Sequence, residues 1–260
     1  MQQLSDFLTG RAASMRLDEA ALLLARIEFP ALDGSPFLRI LDSYAEELAA
    51  RDGDFVASAN QYLFKELGFA GNHADYYNPA DSCLNEVLVS KTGVPITLSV
   101  VYLEIARRLS KPVFGIGLPG HFIVQYDDGR NSAYIDPFHG GKLLAADDCY
   151  ELTGTPADPA LLARVDKRQI LARMINNLRG IYLSRGAHRK SLQVLNLLLA
   201  ANPNAAEEYK QRGIIYLQME QTRAAKADLE RFLELAPDAP DRAAVKEQVA
   251  SLTRLMVGLN

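Results

Sequence analysis

The sequence predicts an α+β fold that begins and ends in helices and holds a small antiparallel sheet between them. Three observations predict it. Apolar residues recur at helical spacing through residues 1–70, with no strand signal among them. A helical stretch that is apolar on nearly all sides, Ile96–Leu109, is followed by short β-branched runs separated by turn residues. Toward the C-terminus, tyrosine and proline each recur after 34 positions.

The 260 residues suffice for one large domain or two modest ones, and 48% hydrophobic with 23% charged residues is ordinary globular composition. No apolar run approaches the ~20 residues of a membrane span. Met1–Arg16 lacks a basic-then-apolar signal pattern, because Asp6 and other polar residues interrupt it. Cys83 and Cys149 make neither a disulfide framework nor a CxxC pair. These features predict a cytoplasmic protein without a membrane partner. The formal charge of −4 hides an asymmetry: residues 1–163 carry −10 and residues 164–260 carry +6. Opposite signs favour docking of the two halves on each other. The basic half has no nucleic-acid-binding motif, which argues against DNA or RNA as a partner.

Leu17, Ala20, Ala21, Leu24 and Ile27 make one buried face, and Pro30 closes that helix. Ser35-Pro36 then reads as a cap followed by proline at the first helical position, with a stripe of Leu38, Leu41, Tyr44, Ala45 and Leu48 behind it. A third helix runs from about Phe55 to Leu67, with Gly68 beyond its C-terminus. Gly71–Pro79 reads as loop. A helix over about Ser82–Lys91 follows, capped by Asp81 or Ser82. Gly93-Val94-Pro95 ends it and starts the Ile96–Leu109 helix, with Pro95 in the first turn. Apolar on nearly all sides, that helix belongs in the domain centre. A strand at Val113–Ile116 and the turn Gly117–Gly120 come next.

Phe122–Tyr126 and Ala133–Ile135, joined through Asp127-Asp128-Gly129, read as an antiparallel hairpin. Its geometry makes His121 and Asp136 cross-strand neighbours. An aspartate beside an imidazole fixes the tautomer and raises the basicity, as in a nucleophilic triad; the same pair also serves as a structural brace at a strand edge. His139, in Phe138-His139-Gly140-Gly141, adds a third potential metal ligand to His121 and Asp136. The three match no metal-binding signature, so neither metal nor cofactor is expected. Residues 147–152 read as a short helix, and Gly154–Pro159 as the most linker-like stretch. The boundary placed there divides the chain into 1–153, made of a helical subdomain 1–70 and a core 71–153, and an all-α region 164–260.

In that last region Tyr182 pairs with Tyr216 and Pro203 with Pro237, which sets Leu195 against Leu229 and Leu198 against Phe232. A 34-residue period with these positions resembles tetratricopeptide repeats. Two copies leave their ends open, and Asp241–Val257, with Val245, Val249, Leu252 and Met256, suits a capping helix.

Taken together, Tyr76-Tyr77-Asn78-Pro79-Ala80-Asp81-Ser82-Cys83-Leu84-Asn85-Glu86-Val87-Leu88, Gly93-Val94-Pro95-Ile96-Thr97-Leu98-Ser99 and Pro119-Gly120-His121-Phe122 resemble the bacterial SirB-type proteins. In those, a transglutaminase-like domain precedes tetratricopeptide repeats, an order that covers nearly the whole chain. The resemblance implies a papain-type core and a Cys–His–Asp triad, with the cysteine at the head of the central helix. The histidine falls on His121 and the aspartate on Asp136. The cysteine position falls at about Pro95, which is no nucleophile. Thr97 and Ser99 lie in the same first turns, but two residues rotate a helix by ~200°. Cys83 lies twelve residues before Pro95, and acidic neighbours of Cys149 oppose a thiolate there. Asn85, Glu86, Pro95 and Thr97 are the expected cleft residues, with bracing of the Gly93–Thr97 turn as the other role for Asn85 and Glu86.

Two functions follow. One is a non-catalytic adaptor or regulator that binds a protein or peptide through the repeats and the cleft; the resemblance implies a role in regulating gene expression. The other is a cryptic cysteine hydrolase or acyltransferase that uses Cys83, or a hydroxyl, with His121 and Asp136. A nucleophile within ~3–4 Å of a His121 ring nitrogen separates them.

Overall fold

The computed structural model describes residues 1–74 and 77–258. Tyr76, part of the resemblance above, therefore lies outside the described residues. Helices α1 (Gln2–Leu8), α2 (Leu17–Ala25), α3 (Ser35–Ala49) and α4 (Phe55–Asn60) open the chain. The last of them continues as a π-helical turn over Gln61–Glu66. Helix α1 is additional to the three expected. Its Leu4, Phe7 and Leu8 have the i, i+3, i+4 spacing and all are buried. Seven residues carry too little periodicity to stand out without tertiary contacts. The Glu19 side chain accepts from the Arg16 N–H at 2.8 Å at the start of α2, and Asp54 accepts from the Ala57 N–H at 2.8 Å at the start of α4.

Strands β1 (Ala70–Gly71) and β2 (Thr92–Gly93) pair in parallel and bracket a 3₁₀ turn at Pro79–Ser82 and helix α5 (Leu84–Ser90). The expected helix over Ser82–Lys91 thus starts two residues later, with Cys83 at its cap position. Helix α6 (Pro95–Arg108) is buried on nearly every side, from Pro95 to Ala106, as its composition predicts.

Strands β3 (Val113–Ile116), β4 (Ile123–Asp127), β5 (Ser132–Asp136) and β6 (Lys142–Leu144) follow, then α7 (Ala146–Thr153), a 3₁₀ turn at Pro159–Leu162, and β7 (Arg164–Val165). The five form an antiparallel sheet in the order β6-β5-β4-β3-β7. Val124 faces Ile135 across the hairpin and Asp127 faces Ser132. The hairpin tip is longer than an Asp-Gly pair, because the Asp128 carboxylate accepts from the backbone N–H of Arg130 and Asn131 and builds a wider turn. Phe122, Val124 and Ile135 enter the main core with α6, whereas Ile116, Ile123, Leu144 and Cys149 form a smaller core on the opposite face under α7. This alternation is the period of two that strand geometry imposes.

Helices α8 (Lys167–Ser184), α9 (His188–Ala201), α10 (Ala206–Gln218), α11 (Thr222–Leu235) and α12 (Arg242–Gly258) complete the chain. Asp166 caps α8 by accepting from the N–H groups of Arg168 and Gln169. Repeat partners Leu195 and Leu229, and Leu198 and Phe232, are buried. Gly213 lets α10 approach α11, since a Cβ there would stand 3.0 Å from the Leu229 side chain. Val245 and Leu252 of α12 cover the end of the α10–α11 pair, as expected of a capping helix. Beyond the linker-like stretch 154–159, β7 pairs with β3, and Ile170, Leu171, Met174, Ile175, Leu178 and Tyr182 of α8 belong to the main core. Among the described residues no helix is long and apolar enough to cross a membrane.

Candidate functional site: a His–Asp–His cluster beside the head of the buried helix

Asp136 ends β5, and the chain turns so that its carboxylate receives the backbone behind it. Its Oδ1 accepts from the N–H groups of Phe138 at 3.0 Å and His139 at 3.3 Å. Its Oδ2 lies 2.8 Å from His121 Nε2 and 2.7 Å from His139 Nδ1. A carboxylate only accepts, so both imidazoles donate and their tautomers are set by this one oxygen. Asp136 is 1% exposed. Burial alone would push its carboxyl up; the hydrogen bonds and charge of His121 and His139 bring it below its usual range. His121 precedes β4, and the Arg173 guanidinium of α8 holds that backbone by donating to Leu118 O and, at 2.7 Å, to His121 O.

A cavity of about 210 Å³ adjoins the cluster, lined by Pro95, Ile96, Gly120, His121, Phe122, Arg173 and Asn177. A second, of about 200 Å³, reaches from Val94 and Ser82 along α8 to Ile181, and Asn177 lines both. A larger cavity of about 570 Å³ lies among α1, α2 and α3, against Met15, Leu22 and Arg26, and shares no lining residue with the cluster.

The residues expected from sequence divide sharply. His121 and Asp136 are hydrogen-bonded, and Pro95 shares a cavity with His121. Thr97 is fully buried, because two residues along α6 turn it away from Pro95. Ser99 donates to Phe122 O at 3.4 Å and is fully buried as well. Asn85 donates to Glu86 Oε1 at 2.8 Å, and neither is among the residues that line the two cavities. Cys83 is 1% exposed, and its thiol donates to Pro79 O at 3.3 Å. Burial, then the charges of Glu28 and Glu86, push that thiol up to about 12, the opposite of an activated nucleophile. Burial and Asp148 push Cys149 up to about 11. Arg173 and Asn177 were invisible to sequence reasoning because they sit on a helix assigned to the repeats, more than fifty residues beyond His121. His139 was within reach, three residues past Asp136, and the structure brings it to the same carboxylate oxygen.

Residues 36–176 match the transglutaminase-like superfamily, and residues 178–250 match a tetratricopeptide repeat. The junction between the matches falls inside α8, on the C-terminal side of Arg173. The chain is 34% identical over 255 residues to a UPF0162 protein of Xylella fastidiosa, covering 92% of this chain and 91% of the relative. It is 28% identical over 247 residues to a UPF0162 protein of Pseudomonas aeruginosa, covering 91% and 90%. It is 32% identical over 171 residues to human F-box only protein 21, covering 62% of this chain and 27% of the human protein. No solved structure matches significantly.

Proposed function

From the premise that this chain belongs to the transglutaminase-like superfamily and to the UPF0162 family, with tetratricopeptide repeats at its C-terminus, we propose that it is a peptide- or protein-binding adaptor without transglutaminase or peptidase chemistry. The observation that carries this reading is Pro95 at the head of α6, beside His121, where the superfamily's chemistry needs a thiolate. No cysteine, serine or threonine is among the residues lining the His121 cavity. Cys83 is held protonated by its own burial, which disfavours the cryptic cysteine enzyme. The two small cavities, which share Asn177 as a lining residue, suit an extended peptide lying along α8, and the repeats offer a second partner surface. A regulatory role of the SirB type goes with this reading. Docking of the repeats on the core is part of it too, supported by the Lys190–Glu28 pair at 2.6 Å and by Lys167 donating to Ala13 O and Met15 O. We place the functional division of the chain beyond α8, whose Arg173 serves the cleft.

The test combines turnover and labelling. The purified protein should give no deamidation or transamidation of a glutamine peptide and no peptide cleavage above background. Removing one triad member typically costs ~10⁴–10⁶ in rate. His121→Ala should weaken a peptide selected for binding and have no turnover to abolish. Fast labelling by a thiol probe that disappears in both Cys83→Ala and His121→Ala would replace the adaptor with a cysteine enzyme.

A further inference from the structure

We propose that His121, Asp136 and His139 form a zinc-type divalent metal site beside the Pro95 cavity. Among the described residues they are the group of three His, Cys, Asp or Glu donors whose ligand atoms converge, all within 4.8 Å of one another. Two imidazole nitrogens and one carboxylate oxygen match the donor set of zinc sites that keep a coordination position open.

Three features beyond proximity support a site. The carboxylate is already oriented, since the Phe138 and His139 N–H groups hold Oδ1 and leave Oδ2 to the imidazoles, the outer-shell arrangement that metal-binding carboxylates use. Both rings turn a nitrogen toward that same oxygen. A dication inserted among the three atoms takes the place of two hydrogen-bonded protons. Each neutral ring then carries its proton on its other nitrogen, so no proton needs to leave. His121 Nδ1 has no hydrogen-bond partner among the described residues and can take that proton.

Bonds of about 2.0–2.2 Å from metal to each donor require ligand atoms roughly 3.3 Å apart. The two hydrogen-bonded pairs, at 2.8 Å and 2.7 Å, must open slightly, and the two ring nitrogens must close. His139 supplies that movement: its side chain is 43% exposed, and the loop behind it turns through Gly140 and Gly141. A bound metal would give the cavity a Lewis-acidic anchor for a carboxylate or carbonyl oxygen of its ligand.

The experiment is a titration of tag-free full-length protein with Co²⁺, read by visible d–d absorption, followed by Zn²⁺ competition against a chelating dye. One equivalent should bind and give the bands of a low-symmetry nitrogen–oxygen site. His139→Ala, at a half-exposed loop position, should weaken binding roughly tenfold or more. Asp136→Asn should abolish the bands. His188→Ala, on α9, should leave both readouts unchanged. Circular dichroism melts in EDTA verify that each variant is folded, and if Asp136→Asn is not, His139→Ala decides alone. Absence of stoichiometric binding to the wild type overturns the site, as does equal affinity in His139→Ala. Peptide binding measured in EDTA keeps the adaptor reading separate from this one.

Discussion

Asp18 is fully buried, yet it carries charge. Arg108 reaches its Oδ2 at 2.6 Å, Arg16 its Oδ1 at 3.1 Å, and the Glu19 N–H donates to it at 2.8 Å. Burial pushes its carboxyl up, but Arg108 and Arg16 outweigh that and hold it below the usual carboxylate range. Removing the Asp18 charge takes a charge-assisted hydrogen bond from both arginines, although Arg108 keeps Asp42 at 2.7 Å and Glu104 at 3.0 Å. Asp18→Asn should therefore cost about 2 kcal/mol at neutral pH, read by urea unfolding. The native carboxyl titrates below the unfolded one, so its contribution is full above about pH 4 and disappears as pH falls through the native value. The gap between wild type and Asp18→Asn should narrow in acid. A gap that stayed constant down to the acid transition would remove Asp18 from this role. Asp136 has the same sign, so its cluster loosens in the same acid window.

At the scale of elements, the loop after β5 and the head of α6 each yield a test. Gly141 has φ +77, and a Cβ there would lie 2.6 Å from the Phe64 ring and 2.7 Å from Asn60 Cγ. Its N–H donates to Asp136 O at 2.9 Å, closing the loop that carries His139. Gly141→Ala should destabilise the protein by about 2 kcal/mol through strain and overpacking, measured by thermal melts. Unchanged stability would mean the loop relaxes freely. Pro95 occupies the first turn of α6, where the helix dipole and His121 both favour an anion. Pro95→Cys should yield a thiol alkylated with a midpoint below the ~8.5 of a free cysteine, and faster than buried Cys83 or Cys149. An ordinary midpoint would show that His121 does not address that position.

For the whole molecule, the question is where the chain can be cut. The main core takes residues from α1 through α9, whereas α10, α11 and α12 make a cluster of their own. A fragment 1–204 should fold cooperatively. A fragment 1–163 exposes the surface that Ile170, Met174, Leu178 and Tyr182 cover and should aggregate or unfold. Size-exclusion chromatography and circular dichroism distinguish these outcomes. A stable, monomeric 1–163 would restore the division at 154–159 that composition alone suggests. The charge asymmetry contributes at the rim, through pairs such as Lys190–Glu28, and its share should be screened by salt.

Much of this was legible in the chain itself, for local reasons. Helical periodicity marked α2, α3 and α6; β-branched runs around Asp127–Gly129 marked the hairpin; and a 34-residue phase marked the repeats. Hairpin geometry also brought His121 to Asp136, because cross-strand proximity follows from turn and register. What lay beyond the sequence depends on contacts between distant segments. Thr97, Asn85 and Glu86 are close to Pro95 along the chain, yet none of them lines the His121 cavity, whereas Arg173 and Asn177 line it from α8. Cys83 was ambiguous until burial fixed its thiol as protonated. His139 joined Asp136 only once the loop had closed. Sequence by itself determined the longer helices, the hairpin and the proline at the head of α6, since these depend on residue type and spacing; tertiary structure decided which side chains share the cavity, since that depends on where a burial-driven core places helices that sequence keeps far apart.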